Sequence, residues 1–285
     1  MNVGSTVVDA ILARYGVQGL WESLPSLGEV NRIFATSEVV LRIATDHPEA
    51  LADARTESVA APVARAAGIL TPRMIAFDET RTLVDRPFSL WERVHGETLG
   101  LATLTPTQRA DVWRGIGIEL AKLHLRVREC PDPHNFLDQP ARDQDIAAPL
   151  RRLIDAKKIN IDMARQVEGM AAELRSRAAE IIEPRFIHND LHPMNLMCSS
   201  GGEFLAIIDW GDAGWGDPAS DFVSIPIDDL PAALEAYESE APGLLGRDPK
   251  ARIAWNKLID ALYDLWESPD RPLDLDSIHR LMREG

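Results

Sequence analysis

The chain has 285 residues, 45% of them hydrophobic and 26% charged, which excludes a disordered or fibrous protein and, at about 150 residues per domain, leaves room for two compact units. Its 30 Lys and Arg stand against 45 Asp and Glu, a net of −15 that repels phosphate backbones and anionic lipid. Nucleic acid and membrane surfaces are therefore poor partners, and a small cationic molecule suits the sign better.

Two cysteines, Cys130 and Cys198, are too few for a disulfide framework and fit a reducing compartment. With no basic leader and no apolar run of about 18 residues, the expected location is the cytoplasm. In chain order, residues 6–16 carry Val7, Val8, Ile11 and Leu12 at helical spacing and end at Gly16, predicting a first helix. The β-branched runs 30–34 and 39–43, parted by Thr36 and Ser37, read as a hairpin. Residues 50–67, rich in Ala and carrying Glu57, read as a helix closed by Gly68, and extended runs follow at 74–77, 82–84 and 88–94. Residues 1–94 thus predict a small α+β unit with 9 basic and 12 acidic side chains.

From Thr105 onward the periodicity is helical. Residues 107–127 place Val112, Trp113, Ile116, Leu120, Leu123 and His124 on one face behind Pro106, and further helices are expected at 143–157, 162–182, 230–240 and 248–267. The stripe Trp255, Leu258, Ala261, Leu262 and Leu265 in the last of these reads as helix core. One sheet-like island, residues 186–209, interrupts the helices. The fold class predicted is α+β, in two lobes: 1–94, β-rich, and 95–285, mostly helical.

The island carries the chemistry. Asp190 and Asn195 lie five residues apart between two short apolar runs, and Asp209 closes the second run, Leu205-Ala206-Ile207-Ile208. A carboxylate to deprotonate a hydroxyl, with an amide and a second carboxylate to hold magnesium, is what phosphoryl transfer from ATP requires. Taken singly, Asp190 and Asp209 would read as turn caps; their joint spacing points to the site. His188 reads as structural, donating its ring proton to a backbone carbonyl. Asp217 and Asp221 read as braces of a helix. Zinc on His192 and Cys198 is disfavoured, because no Cys pair at metal-ligand spacing accompanies them.

His188-x-Asp190-x-x-x-x-Asn195, followed by Ile208-Asp209-Trp210-Gly211 and by Gly216-Asp217-Pro218-Ala219-Ser220-Asp221, resembles the loops of the aminoglycoside phosphotransferase family. Leu41-Arg42-Ile43, Glu57 and the run 90–99 stand, in order, where that family has its phosphate-binding strand, its helix Glu and its adenine-holding hinge. The resemblance implies a bilobal protein-kinase-like fold, with Asp190 as catalytic base and Asn195 and Asp209 as magnesium ligands. It implies Arg42 and Glu57 as the phosphate-positioning pair, and the backbone of Glu92 and Val94 as the adenine contacts. Asn189 and Met194 depart from it where glycines are common. Arg42 replaces the lysine of protein kinases, and only Gly28 stands in the phosphate-loop region, which leaves the choice between ATP and GTP open.

From Phe186 to Leu245 there is no Lys or Arg and there are eleven Asp or Glu, and residues 95–285 hold 33 acidic and 21 basic groups. Asp212, Asp228 and Asp229 are accordingly assigned to a cationic acceptor. The function expected is ATP- and magnesium-dependent transfer of the γ-phosphoryl group to a hydroxyl of a small cationic molecule, foremost an aminoglycoside or cationic cyclic-peptide antibiotic that phosphorylation would inactivate. The alternatives are a kinase of choline, homoserine or a sugar, and a catalytically silent binding module. A protein kinase is disfavoured, since no Asp-Phe-Gly and Ala-Pro-Glu pair brackets an activation segment.

Overall fold

The computed structural model describes residues 4–25, 30–137, 146–178, 182–267 and 273–283. Helix α1 (Ser5–Arg14) ends as its periodicity predicts: Gly16 takes φ +69° and gives its amide to Ala13 O at 3.1 Å. Strands β1 (Glu22–Leu24), β2 (Asn31–Ala35), β3 (Val39–Ala44), β4 (Met74–Asp78) and β5 (Phe88–Glu92) form one sheet in the order β1-β2-β3-β5-β4, every pair antiparallel. The β2–β3 hairpin runs from Asn31 opposite Ala44 to Ala35 opposite Val40.

Alternation along central β3 decides which side chains serve packing and which serve the site. Val39, Leu41 and Ile43 join Val8, Ile11 and Leu12 of α1 in one apolar cluster. Arg42 consequently points the other way, toward helix α2 (Ala50–Ala66). The small Ala60, Ala61 and Ala64 of α2, all essentially unexposed, bury that helix against the rest of the protein, and Gly68 beyond its end is left-handed at φ +88°.

The extended run expected at 82–84 is not a strand. The chain there turns instead. Asp78 Oδ1 accepts from the Thr80 amide and hydroxyl, at 2.7 and 2.6 Å, and Arg81 sits at φ +59°.

Beyond β5 come β6 (Glu97–Thr98), α3 (Pro106–Arg126), α4 (Ala147–Asp155), α5 (Ile161–Arg177), β7 (Arg185–Ile187), β8 (Leu196–Cys198), β9 (Phe204–Ile207), β10 (Gly214–Gly216), α6 (Leu230–Glu240), α7 (Pro249–Glu267) and α8 (Leu275–Arg283). The helix expected at 143–157 is described from Ala147, its first residues lying outside the described ones, and the helix expected at 162–182 ends at Arg177. Helix α8 was not expected, although Leu275, Ile278, Leu281 and Met282 give it a buried stripe at helical spacing.

Helix α3 starts with a capping box. The Gln108 amide donates to Thr105 Oγ1 (3.3 Å), the Thr105 amide donates to Gln108 Oε1 (2.9 Å), and Pro106 occupies the first turn. Its expected face, Val112 through His124, is fully buried. The sheet island resolves into β6-β8-β9 and the pair β10-β7, so the loops after β7 and β9 open beside one another. The fold is α+β, and no helix among the described residues is long and apolar enough to cross a membrane.

Helices α3 and α6 meet backbone to backbone at Gly117, where an added Cβ would lie 2.1 Å from Ala233 O and 3.1 Å from Tyr237 N. Gly117→Ala must push the helices apart. After its gain in helix propensity, a net loss of about 2 kcal/mol is expected, read as a lower urea midpoint at unchanged slope.

Candidate active site

The loop between β7 and β8 is shaped by a carboxylate that solvent does not reach. Asp221 Oδ2 accepts the His188 amide at 3.1 Å and Oδ1 accepts the Asn189 amide at 2.6 Å. His124 on α3 reaches the same Oδ2 through Nε2 at 3.0 Å and the Tyr237 hydroxyl through Nδ1 at 2.8 Å. Buried polar groups need such partners, and these bring the loop, α3 and α6 together. Asn189 turns the chain at φ +68°, a left-handed geometry that Asn tolerates better than most residues. Asp221 therefore holds the loop, whereas Asp217, by accepting the Ala219 amide at 2.9 Å, caps the short helix Pro218–Phe222.

His188, fully buried, links the two loops. Its Nε2 donates to Ile208 O at 3.0 Å and its Nδ1 accepts the Asp190 amide at 3.3 Å, which fixes the tautomer. Ile208 in turn donates to Asn195 O at 2.9 Å. Asn195 Nδ2 donates to Asp190 O and to Asp190 Oδ2, both at 2.9 Å. This leaves Asn195 Oδ1 without a partner among the described residues.

Asp209, left-handed at φ +66°, follows directly. Arg42 reaches across from β3, with Nη1 2.6 Å from Glu57 Oε1 and Nη2 3.1 Å from Asp209 Oδ1. The Trp210 amide donates to the same Glu57 oxygen at 3.2 Å, and its indole donates to Thr71 Oγ1 at 3.0 Å. Burial works against the Arg42 charge, but Glu57 and Asp209 outweigh it and raise its pKa. Arg42 pulls the Asp209 carboxyl below its ordinary value. Burial pushes Glu57 up to about 7 against the pull of Arg42. His192 is raised, first by its contact with Asp190 and then by the fields of Asp190, Asp209 and Asp212.

Asp190, Asn195, Asp209, Arg42 and Glu57 are thus joined through one network. Glu92 ends β5 and Val94 follows it; the Val94 amide has no partner among the described residues, and the Glu92 amide donates to Arg73 O at 2.9 Å. Gly28 lies outside the described residues. The three acceptor carboxylates are not brought together as one set. Asp212 is exposed and near His192, whereas Asp229 is gripped by Arg109 (Nη2 to Oδ2 2.6 Å) and Asp228 pairs with Arg280 at 2.9 Å. No group of three His, Cys, Asp or Glu able to hold a metal occurs among the described residues. Magnesium asks for less. The oxygen of Asn195 and the second oxygen of Asp209 are hard donors left over by the network, enough for an ion that keeps waters and nucleotide oxygens.

The sequence profile of the phosphotransferase enzyme family matches residues 24–252, and the chain belongs to that family. It is thereby a kinase-like, small-molecule phosphotransferase. Among solved structures, the GDP complex of wild-type aminoglycoside 2′-phosphotransferase-IIIa is 15% identical with a TM-score of 0.71, covering 98% of this chain and 97% of that one. The ternary complex of APH(2″)-IIa with streptomycin and ATP is 16% identical with a TM-score of 0.63, over 99% and 97%. A choline/ethanolamine kinase family protein from Mesorhizobium loti is 18% identical with a TM-score of 0.60, over 97% and 93%. At these identities the likeness is one of fold. No curated protein matches the chain.

Asp53, one turn before Glu57 on α2, is pushed from 3.8 up to about 6 by burial, with Asp209 and Glu49 adding to the rise. A carboxyl raised in the folded state costs stability as pH climbs from its unfolded value to its folded one, and the cost persists above. Asp53→Asn is therefore expected to stabilise at about pH 7.5 by about 1 kcal/mol, after discounting for partial exposure, and to change little near pH 4. Urea unfolding at the two pH values reads the difference.

Proposed function

We propose that this protein is an O-phosphotransferase that uses ATP and magnesium to phosphorylate a hydroxyl of a small cationic molecule, most directly an aminoglycoside-like antibiotic. Residues 1–94 are taken as the nucleotide lobe and 95–285 as the catalytic and acceptor lobe. In support of that boundary, β6 pairs with β8 and not with the five-stranded sheet. The observation that carries the reading is the juxtaposition of Asp190, Asn195 and Asp209 on adjoining loops, with Arg42 and Glu57 anchored to the last of them.

In this reading Asp190 takes the proton of the attacking hydroxyl through Oδ1, the oxygen that no described residue engages. Asn195 and Asp209 would hold magnesium, which neutralises charge on the transferred phosphoryl group. Arg42, kept charged by two carboxylates, offers a planar fork to the phosphates, and Glu57 sets its direction. The backbone after β5, where the Val94 amide has no partner among the described residues, suits adenine; GTP would meet the same amide. The acceptor's charge is supported by the excess of acidic groups in residues 95–285 and by Asp212 beside the loop. If the acceptor is an antibiotic, the biological consequence is resistance by inactivation.

A metabolite acceptor is the second reading. It is favoured by the match to the choline/ethanolamine kinase family protein and keeps the same residues in the same roles.

Asp190→Asn is expected to cut phosphoryl transfer by about 10³-fold or more while ATP binding stays within a factor of about two. Asp209→Asn should instead weaken ATP binding in the presence of magnesium and leave metal-free binding little changed. ATP consumption against aminoglycosides, cyclic-peptide antibiotics and amino-alcohols, with calorimetric ATP titrations of each variant, reads both outcomes. Turnover by Asp190→Asn at the wild-type rate overturns the assignment. Turnover with amino-alcohols alone selects the second reading.

A further inference from the structure

His192 follows the proposed base by two residues and is partly exposed, at 37% of its side chain. Its ring serves two neighbours. Nδ1 accepts the Met194 amide at 3.1 Å, which caps the short helix Pro193–Asn195. An accepting Nδ1 places the ring proton on Nε2, and Nε2 stands 3.4 Å from Asp190 Oδ2. That is the same oxygen that receives Asn195 Nδ2 at 2.9 Å. Two donor groups thus converge on Oδ2, and among the described residues nothing engages Oδ1.

We infer that His192 is a positioning residue for phosphoryl transfer: with Asn195 it pins Oδ2 of Asp190, so that Oδ1 faces the acceptor hydroxyl. The inference rests on the phosphotransfer reading of the site. The contact at 3.4 Å is longer than a formed hydrogen bond of about 2.9 Å, and catalytic hydrogen bonds often tighten only in the reacting complex. Without the imidazole, Asp190 is held by Asn195 alone and its carboxylate plane can rotate, so that neither oxygen is kept in line with the hydroxyl. The loss then falls on the chemical step rather than on nucleotide binding, because among the described residues His192 makes no hydrogen bond or ion pair with Arg42 or the end of β5.

The competing role is the cap alone, and chemistry separates the two. Asn and Ser are good N-cap residues that can accept the Met194 amide yet have no group at the position of Nε2. His192→Asn and His192→Ser are assayed by MgATP turnover with water as acceptor, alongside thermal unfolding. The expected result is a kcat lower by about tenfold or more, with KM for ATP and the unfolding midpoint within error of wild type. Wild-type kcat in a variant that keeps its unfolding midpoint overturns the inference, as does a loss expressed only as a higher KM. Ser carries the test if Asn shifts the midpoint. Asp190→Asn run in parallel separates the two levels: full turnover there removes the phosphotransfer reading itself, whereas an inactive Asp190→Asn beside fully active His192 variants rejects only the positioning role.

Discussion

A guanidinium shut between two carboxylates organises this site. Arg42 comes from the centre of a sheet, Glu57 from a helix laid on that sheet, and Asp209 from a loop 167 residues further along the chain. A charge this sheltered is tolerated only when paired, so each partner constrains the other two. The register of β3 follows from it: a slip of one residue would turn Arg42 into the apolar cluster under α1 and bring Leu41 or Ile43 against Glu57. Because Glu57 also receives the Trp210 amide, the helix and the loop cannot move independently.

The second constraint is Asp221. With both oxygens accepting from the loop that carries Asp190, it converts the packing of α3 and α6 into the geometry of that loop. The hydrogen bonds of His188 to Ile208 and of Ile208 to Asn195 carry the same geometry on to Asp209. Stability of the helical part and placement of the reactive groups are thus two outcomes of one set of buried hydrogen bonds.

Local pattern made much of this legible. The hairpin, the Ala-rich helix, the buried face of α3 and the spacing of Asp190, Asn195 and Asp209 are short-range properties, written in periodicity and in neighbouring residues. Long-range uses of a side chain are not. Nothing around Asp221 marks it as the anchor of a loop 32 residues away, and nothing around His124 marks it as that anchor's partner. The run 82–84 has strand composition, but the Asp78–Thr80 turn takes the chain out of an extended path there. The acidic stretch 186–245 shows the same limit in charge. Its own sequence contains no cation, yet Arg109 of α3, Arg252 of α7 and Arg280 of α8 meet Asp229, Asp217 and Asp228 across the fold. Net charge counted along a chain is not charge at a surface.

Position 194 carries a methionine. The structure has room for it because position 100, directly opposite, is a glycine: a Cβ there would come within 2.2 Å of the Met194 sulfur, and the Gly100 amide already bonds Pro193 O at 3.0 Å. The two residues share one volume where the segment after β6 meets the loop between β7 and β8. A side chain at position 100 would first have to displace that thioether, so the size of one residue sets a limit on the other.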